Sequence, residues 1–134
     1  MSRREITRED VDALVEFLPV FERPGRAFAK WGEVVKNADG SISLPYPSYD
    51  ADVEEFFRLV AQRGWLDHGY KPEEAARMLA DPEFVGRATL EEIGTMLTYC
   101  VRGERFCDGS RESLLKGGQI TALLRRLEVI RERM

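Results

Sequence analysis

The densest run of chemistry-bearing side chains is Arg102-Gly103-Glu104-Arg105-Phe106-Cys107-Asp108-Gly109, which sets two guanidinium groups, two carboxylates and a thiol close together. Arginine offers paired, coplanar N–H donors that match carboxylate and phosphate oxygens, so Arg102 and Arg105 suit an anionic ligand. Gly103 between them is expected to take a positive φ and turn the chain, aiming both guanidinium groups at one anion. Glu104 and Asp108 act better as orienting groups than as proton donors, because flanking arginines keep carboxylates ionised. Cys107 lies in the same positive field, which favours its thiolate. Pairing with His68, the only histidine in the chain, is its route to nucleophilic chemistry. A structural account competes for the same residues: Arg102 or Arg105 tying helix ends together through Glu104, Asp108 or a helix-terminal carbonyl.

A weaker anion site would use Gly117-Gly118, with Lys116 adjacent, since a helix beginning there presents free N–H groups. The phosphate-loop spacing G-x-x-x-x-G-K-[ST] is absent, and no G-x-G-x-x-G follows a strand, so nucleotide or dinucleotide binding is not expected and no cofactor is predicted. One histidine and two cysteines cannot supply the four ligands of a structural zinc, so no metal site is predicted. G-x-S-x-G is missing as well, which leaves hydrolase chemistry without a motif. Cys100 continues the apolar face of Ile93, Met96 and Leu97 and is expected in the core.

The elements that must position these residues are helical. Thr7 with Asp10 forms a capping box ahead of Val11, Leu14, Val15 and Leu18, predicting a helix over 8–18 that Pro19 ends. Between Phe28 and Leu44, Asn37-Ala38-Asp39-Gly40 separates two apolar stretches and predicts a small β-hairpin. Pro45-Tyr46-Pro47 is extended, Asp50 caps a second helix bearing Val53, Phe56, Phe57 and Val60, and Gly64 stops it. A loop carrying Trp65, His68 and Tyr70 leads into a short helix over 72–80, which Pro82 closes. Thr89 and Glu92 cap the next helix, which ends near Gly103. Ser110 opens a short helix through Leu115, and Ile120, Leu123, Leu124, Leu127 and Ile130 form a final amphipathic stripe. The fold class is therefore mainly α: one compact bundle of about five helices over 1–134, with a hairpin near 28–44.

At 134 residues and 43% hydrophobic content, the chain buries enough surface to fold without disulfides or metals. No apolar run near the N-terminus resembles a signal peptide or membrane span, and the expected setting is the cytoplasm, with both cysteines reduced. The net charge of −4 argues against general attraction to nucleic acid or a membrane surface. Its distribution is uneven, with net −7 over residues 1–101 and net +3 over 102–134.

The stretch Thr98-Tyr99-Cys100-Val101-Arg102-Gly103-Glu104-Arg105-Phe106-Cys107-Asp108-Gly109, followed by Gly117 or Gly118 and Leu124-Arg125-Arg126-Leu127, resembles a prokaryotic family of unknown function with the signature T-x-x-x-R-G-E-R-F-x-x-G. Tyr46-Pro47-x-Tyr49 and Val53-x-x-Phe56-Phe57 extend the resemblance, so that it covers roughly residues 28–130. The resemblance implies a bacterial or archaeal origin and brings no activity or ligand with it.

The leading functional expectation is a non-enzymatic binding module that presents Arg102, Glu104, Arg105, Cys107, Asp108 and Lys116 to an anionic small molecule or a partner protein. One alternative is a small enzyme acting on a phosphorylated or carboxylated substrate. Another is nucleic-acid binding through the basic C-terminal third, which the net charge disfavours. The last helix carries apolar residues at 120, 123, 127, 130 and 134, nearly a heptad, so both a monomer and a homodimer are compatible with it.

Overall fold

The computed structural model describes residues 6–43, 47–62, 64–103 and 109–134. Eight helices occur among them: α1 Arg8–Val15, α2 Leu18–Phe21, α3 Ala51–Gln62, α4 Pro72–Leu79, α5 Pro82–Val85, α6 Leu90–Arg102, α7 Ser110–Lys116 and α8 Gln119–Glu132. The fold is mainly α, as the periodicity predicts.

Both capping boxes form. The Thr7 N–H donates to Asp10 Oδ2 at 2.9 Å, and the Thr89 N–H donates to Glu92 Oε1 at 2.9 Å. Each box satisfies donors that a helix start would leave unpaired. The expected helix over 8–18 instead stops at Val15, and Pro19 sits in the first turn of α2. Pro82 likewise opens α5 as well as following α4. Proline has no N–H to lose at a first helical turn, so it starts a short helix as readily as it ends a long one. Those two extra segments raise the six helical stretches read from the sequence, rounded there to a bundle of about five, to eight.

Strands β2 Val35–Lys36 and β3 Ile42–Ser43 make the expected hairpin, pairing Val35 with Ser43 and Lys36 with Ile42. Its turn is closed by Asp39 Oδ1, which accepts from the Ser41 N–H at 2.9 Å, and by Gly40 at φ +90. A second ladder joins β1 Ala29–Trp31 to β4 Pro47–Tyr49, in register Ala29 with Tyr49 and Trp31 with Pro47. Part of the predicted hairpin region thus pairs beyond residue 44.

Every helix contributes to one apolar cluster, from Val11 and Leu14 on α1 to Ile120, Leu123, Leu124 and Leu127 on α8. The α8 stripe therefore packs on the chain's own core. Edge-on phenylalanines fill the α2–α3 end, where Phe21 meets Phe28 and Phe56 at ring centroid separations of 5.9 and 5.2 Å. Arg26 stacks over Phe21 and Phe28, donates to the Val20 carbonyl at 3.2 Å and pairs with Asp52, fastening α2 to the start of α3.

Candidate functional site

Thr95, Thr98 and Arg102 recur at spacings of three and four on α6, which places them along one face of the helix. The loop after α3 is seated against that face. Gly64, at φ +83, terminates α3, and the Trp65 side chain is buried. Thr98 is fully buried, and its Oγ1 accepts from the Asp67 N–H at 2.8 Å while donating to the Gly94 carbonyl at 2.7 Å. Thr95 Oγ1 donates to Asp67 Oδ2 at 3.0 Å, and Asp67 Oδ1 accepts from the Gly69 N–H at 3.0 Å. An aspartate that bonds the backbone two residues on shapes a tight turn, so Asp67 both fixes the turn and docks it.

This turn delivers His68 and Tyr70 to Arg102. The Arg102 guanidinium lies 5.1 Å from the centre of the Tyr70 ring, and its Nη2 is 3.1 Å from His68 Nδ1. Arginine only donates, so His68 Nδ1 is the acceptor in this contact. His68 is exposed, and Arg102 and Tyr70 are half-buried. No carboxylate among the described residues pairs with Arg102. A guanidinium stacked on a tyrosine ring, and paired with no carboxylate among the described residues, has donors to offer an anion.

The far end of the polar run is fixed separately. Gly109 starts α7 at φ +89, and a Cβ there would lie 2.6 Å from Trp31 Cζ2. Trp31 Nε1 donates to Glu112 Oε1 at 3.1 Å, while the Glu112 N–H donates to the Tyr49 hydroxyl at 3.2 Å. The β1–β4 ladder thereby holds the first turn of α7. Arg111 Nη2 donates to the Val101 carbonyl at 2.7 Å, with its guanidinium 4.4 Å over the Phe57 ring. Arg111 makes a helix-end carbonyl contact of the kind considered for Arg102 or Arg105.

Gly103 departs from expectation. Its φ is −57, continuing the helix, and the left-handed residue is Gly109. What Gly103 supplies is space, since a Cβ there would meet Ser110 Oγ at 2.6 Å.

Of the residues singled out in the sequence, Glu104, Arg105, Cys107 and Asp108 lie outside the described residues, and with them any Cys107–His68 pairing. Lys116 is exposed and pairs with Glu112 at 3.7 Å on α7; no hydrogen bond or ion pair joins it to Arg102 among the described residues. Cys100 is fully buried as expected, and burial pushes its thiol up to about 12. No group of three or more His, Cys, Asp or Glu side chains among the described residues is placed to hold a metal ion. Tyr70, Thr98, Arg111 and Trp31 were not identified as site residues from sequence. The recurrence of Thr95, Thr98 and Arg102 opposite the apolar face was the available signal for the first half of the site.

The model of the family of unknown function DUF6508 matches residues 6–133. The chain belongs to this family. All eight helices and the Arg102 cluster fall within the DUF6508 match, which begins upstream of the resemblance read from residue 28. No curated protein and no solved structure matches the chain.

Proposed function

We propose that this DUF6508 chain is a non-enzymatic binding module that takes an anionic group, a carboxylate or phosphate of a small ligand or partner protein, at Arg102, His68 and Tyr70. The observation that carries the reading is the Arg102 guanidinium, oriented by Tyr70 and His68 and paired with no carboxylate among the described residues. Glu104, Arg105, Cys107 and Asp108 follow Arg102 directly in the chain and belong to the same proposal on sequence grounds. A prokaryotic cytoplasmic setting is part of it too. No helix among the described residues is long and apolar enough to cross a membrane.

Thermal denaturation of wild type and Arg102→Gln against inorganic phosphate and citrate, at constant ionic strength, tests the proposal. A ligand at about 100 times its Kd adds about 2.7 kcal/mol, which raises Tm by several degrees. The proposal requires that rise in wild type and its loss in a folded Arg102→Gln. Equal shifts in both proteins, or none in either, would remove it.

A further inference from the structure

Three clefts on the described residues differ in the sign of their walls. A cleft of about 360 Å³ between α4 and α5 carries Glu74 and Asp81 beside Arg77, and one of about 370 Å³ near α2 carries Glu16 and Asp52 beside Arg23. The third, about 410 Å³ between α5 and α8, includes Arg125 and Arg126 in its lining and no carboxylate. Its volume falls in the range of small-ligand sites.

The two arginines are not equivalent. Arg125 Nε donates to Glu22 Oε1 at 2.9 Å, so its charge is already met. Arg126 Nε donates to the Ala88 carbonyl at 2.9 Å, which fixes the guanidinium while leaving its Nη groups without a partner among the described residues. Apolar surface lies beside it: Val85, Ala122 and Val129 line the same cleft, with Val129 left 41% exposed. Gly86 contributes no side-chain bulk. One oriented guanidinium beside an apolar wall matches a ligand with a carboxylate head and a hydrocarbon body.

We propose that the α5–α8 cleft binds an amphiphilic monocarboxylate, the carboxylate on Arg126 and an aliphatic or aromatic group on Val85, Ala122 and Val129. This site is independent of Arg102. Such a carboxylate is supplied equally by a free hydrophobic acid or by a peptide ending in an apolar residue, and the two share this chemistry.

Calorimetric titration of the full chain with octanoate, octanol and acetate tests it. Octanoate is expected to bind at least tenfold more tightly than either control, since octanol lacks the charge and acetate lacks the hydrocarbon, each methylene of which contributes up to about fourfold. Arg126→Met is expected to weaken octanoate at least tenfold, through loss of a charge-assisted contact, and Arg102→Gln is expected to leave it unchanged. Ala122→Phe fills the cleft while keeping Arg126, so binding should be lost there as well; this variant decides the matter if Arg126→Met does not fold. A peptide ending in a leucine carboxylate assigns the source: tighter binding than octanoate indicates a protein C-terminus, weaker binding a free acid. Octanol matching octanoate, or a folded Ala122→Phe that binds octanoate as wild type does, would overturn the proposal.

Discussion

Replacing Thr98 by valine tests whether the loop carrying His68 and Tyr70 is held by the contact described. The substitution keeps the shape of a fully buried side chain and removes one hydroxyl. On the helix side little changes, because the Gly94 carbonyl retains the N–H of residue 98 as its α-helical partner. On the loop side the Asp67 N–H loses its acceptor at 2.8 Å. An unsatisfied donor of this kind costs about 1–3 kcal/mol, or roughly 3–9 °C in Tm for a chain of this size. The same free energy should accelerate hydrogen exchange of the Asp67 amide roughly 5- to 150-fold, provided exchange proceeds through opening of the loop. Asp67 Oδ2 still accepts from Thr95 on α6, so the loop should loosen without detaching. Thr98→Ser is the matched control: it loses a buried methyl at about 1 kcal/mol but keeps the hydroxyl, and the Asp67 amide should stay protected. Thr98→Val with wild-type protection at Asp67 would refute the docking role of this hydroxyl.

The two glycines that bracket the polar run should respond with opposite sign. Gly109→Ala forces a side chain into a left-handed backbone against the Trp31 ring and should destabilise by about 1–3 kcal/mol, read by urea unfolding, with a change in Trp31 fluorescence. Gly103→Ala sits in helical backbone where the Ser110 hydroxyl is able to rotate aside, so it should be neutral or stabilise by up to about 1 kcal/mol. Cys100, with its thiol at about 12, should resist iodoacetamide in the folded protein at pH 8 and react only on unfolding, as peptide mass spectrometry would show. Rapid native alkylation at Cys100 would contradict its burial. The hydrogen bond from Arg26 holds the Asp52 carboxyl below the ordinary carboxylate range. A lowered folded-state value stabilises above the unfolded pKa, near pH 4, and that contribution disappears as pH falls through the folded value. Asp52→Asn should therefore cost at most about 1 kcal/mol at pH 7, since the carboxylate is 36% exposed, and the gap from wild type should close toward pH 2. A gap independent of pH would show that ionisation of Asp52 is not its origin.

The helices were legible because their signals are local. Thr7 with Asp10 and Thr89 with Glu92 announce helix starts within four residues, and both boxes form. The α6 and α8 stripes name their buried faces directly. Pro19 and Pro82 were ambiguous for a physical reason: a proline that blocks one helix is equally suited to the first turn of another. The site was less legible because its contacts are distant in sequence. Asp67 meets Thr98 across 31 positions, and Trp31 reaches Glu112 across 81. Gly103 suggested a left-handed turn, whereas its backbone is helical and its missing side chain only leaves room for a Ser110 hydroxyl that is free to rotate. Arg102 was recognised from its type and place, whereas its orientation depends on a loop whose docking threonines carry no motif of their own.

The most direct test of the central claim is a phosphate titration of isotope-labelled protein followed by NMR, at fixed ionic strength, observing backbone amides together with the arginine Nε–H and imidazole resonances. Saturable shifts centred on Arg102 Nε–H, His68 and the amides of residues 68–70, and their loss in Arg102→Gln, are the predicted result. Shifts confined to other parts of the surface, or a linear response without saturation at these residues, would contradict the assignment of Arg102, His68 and Tyr70 as the anion site.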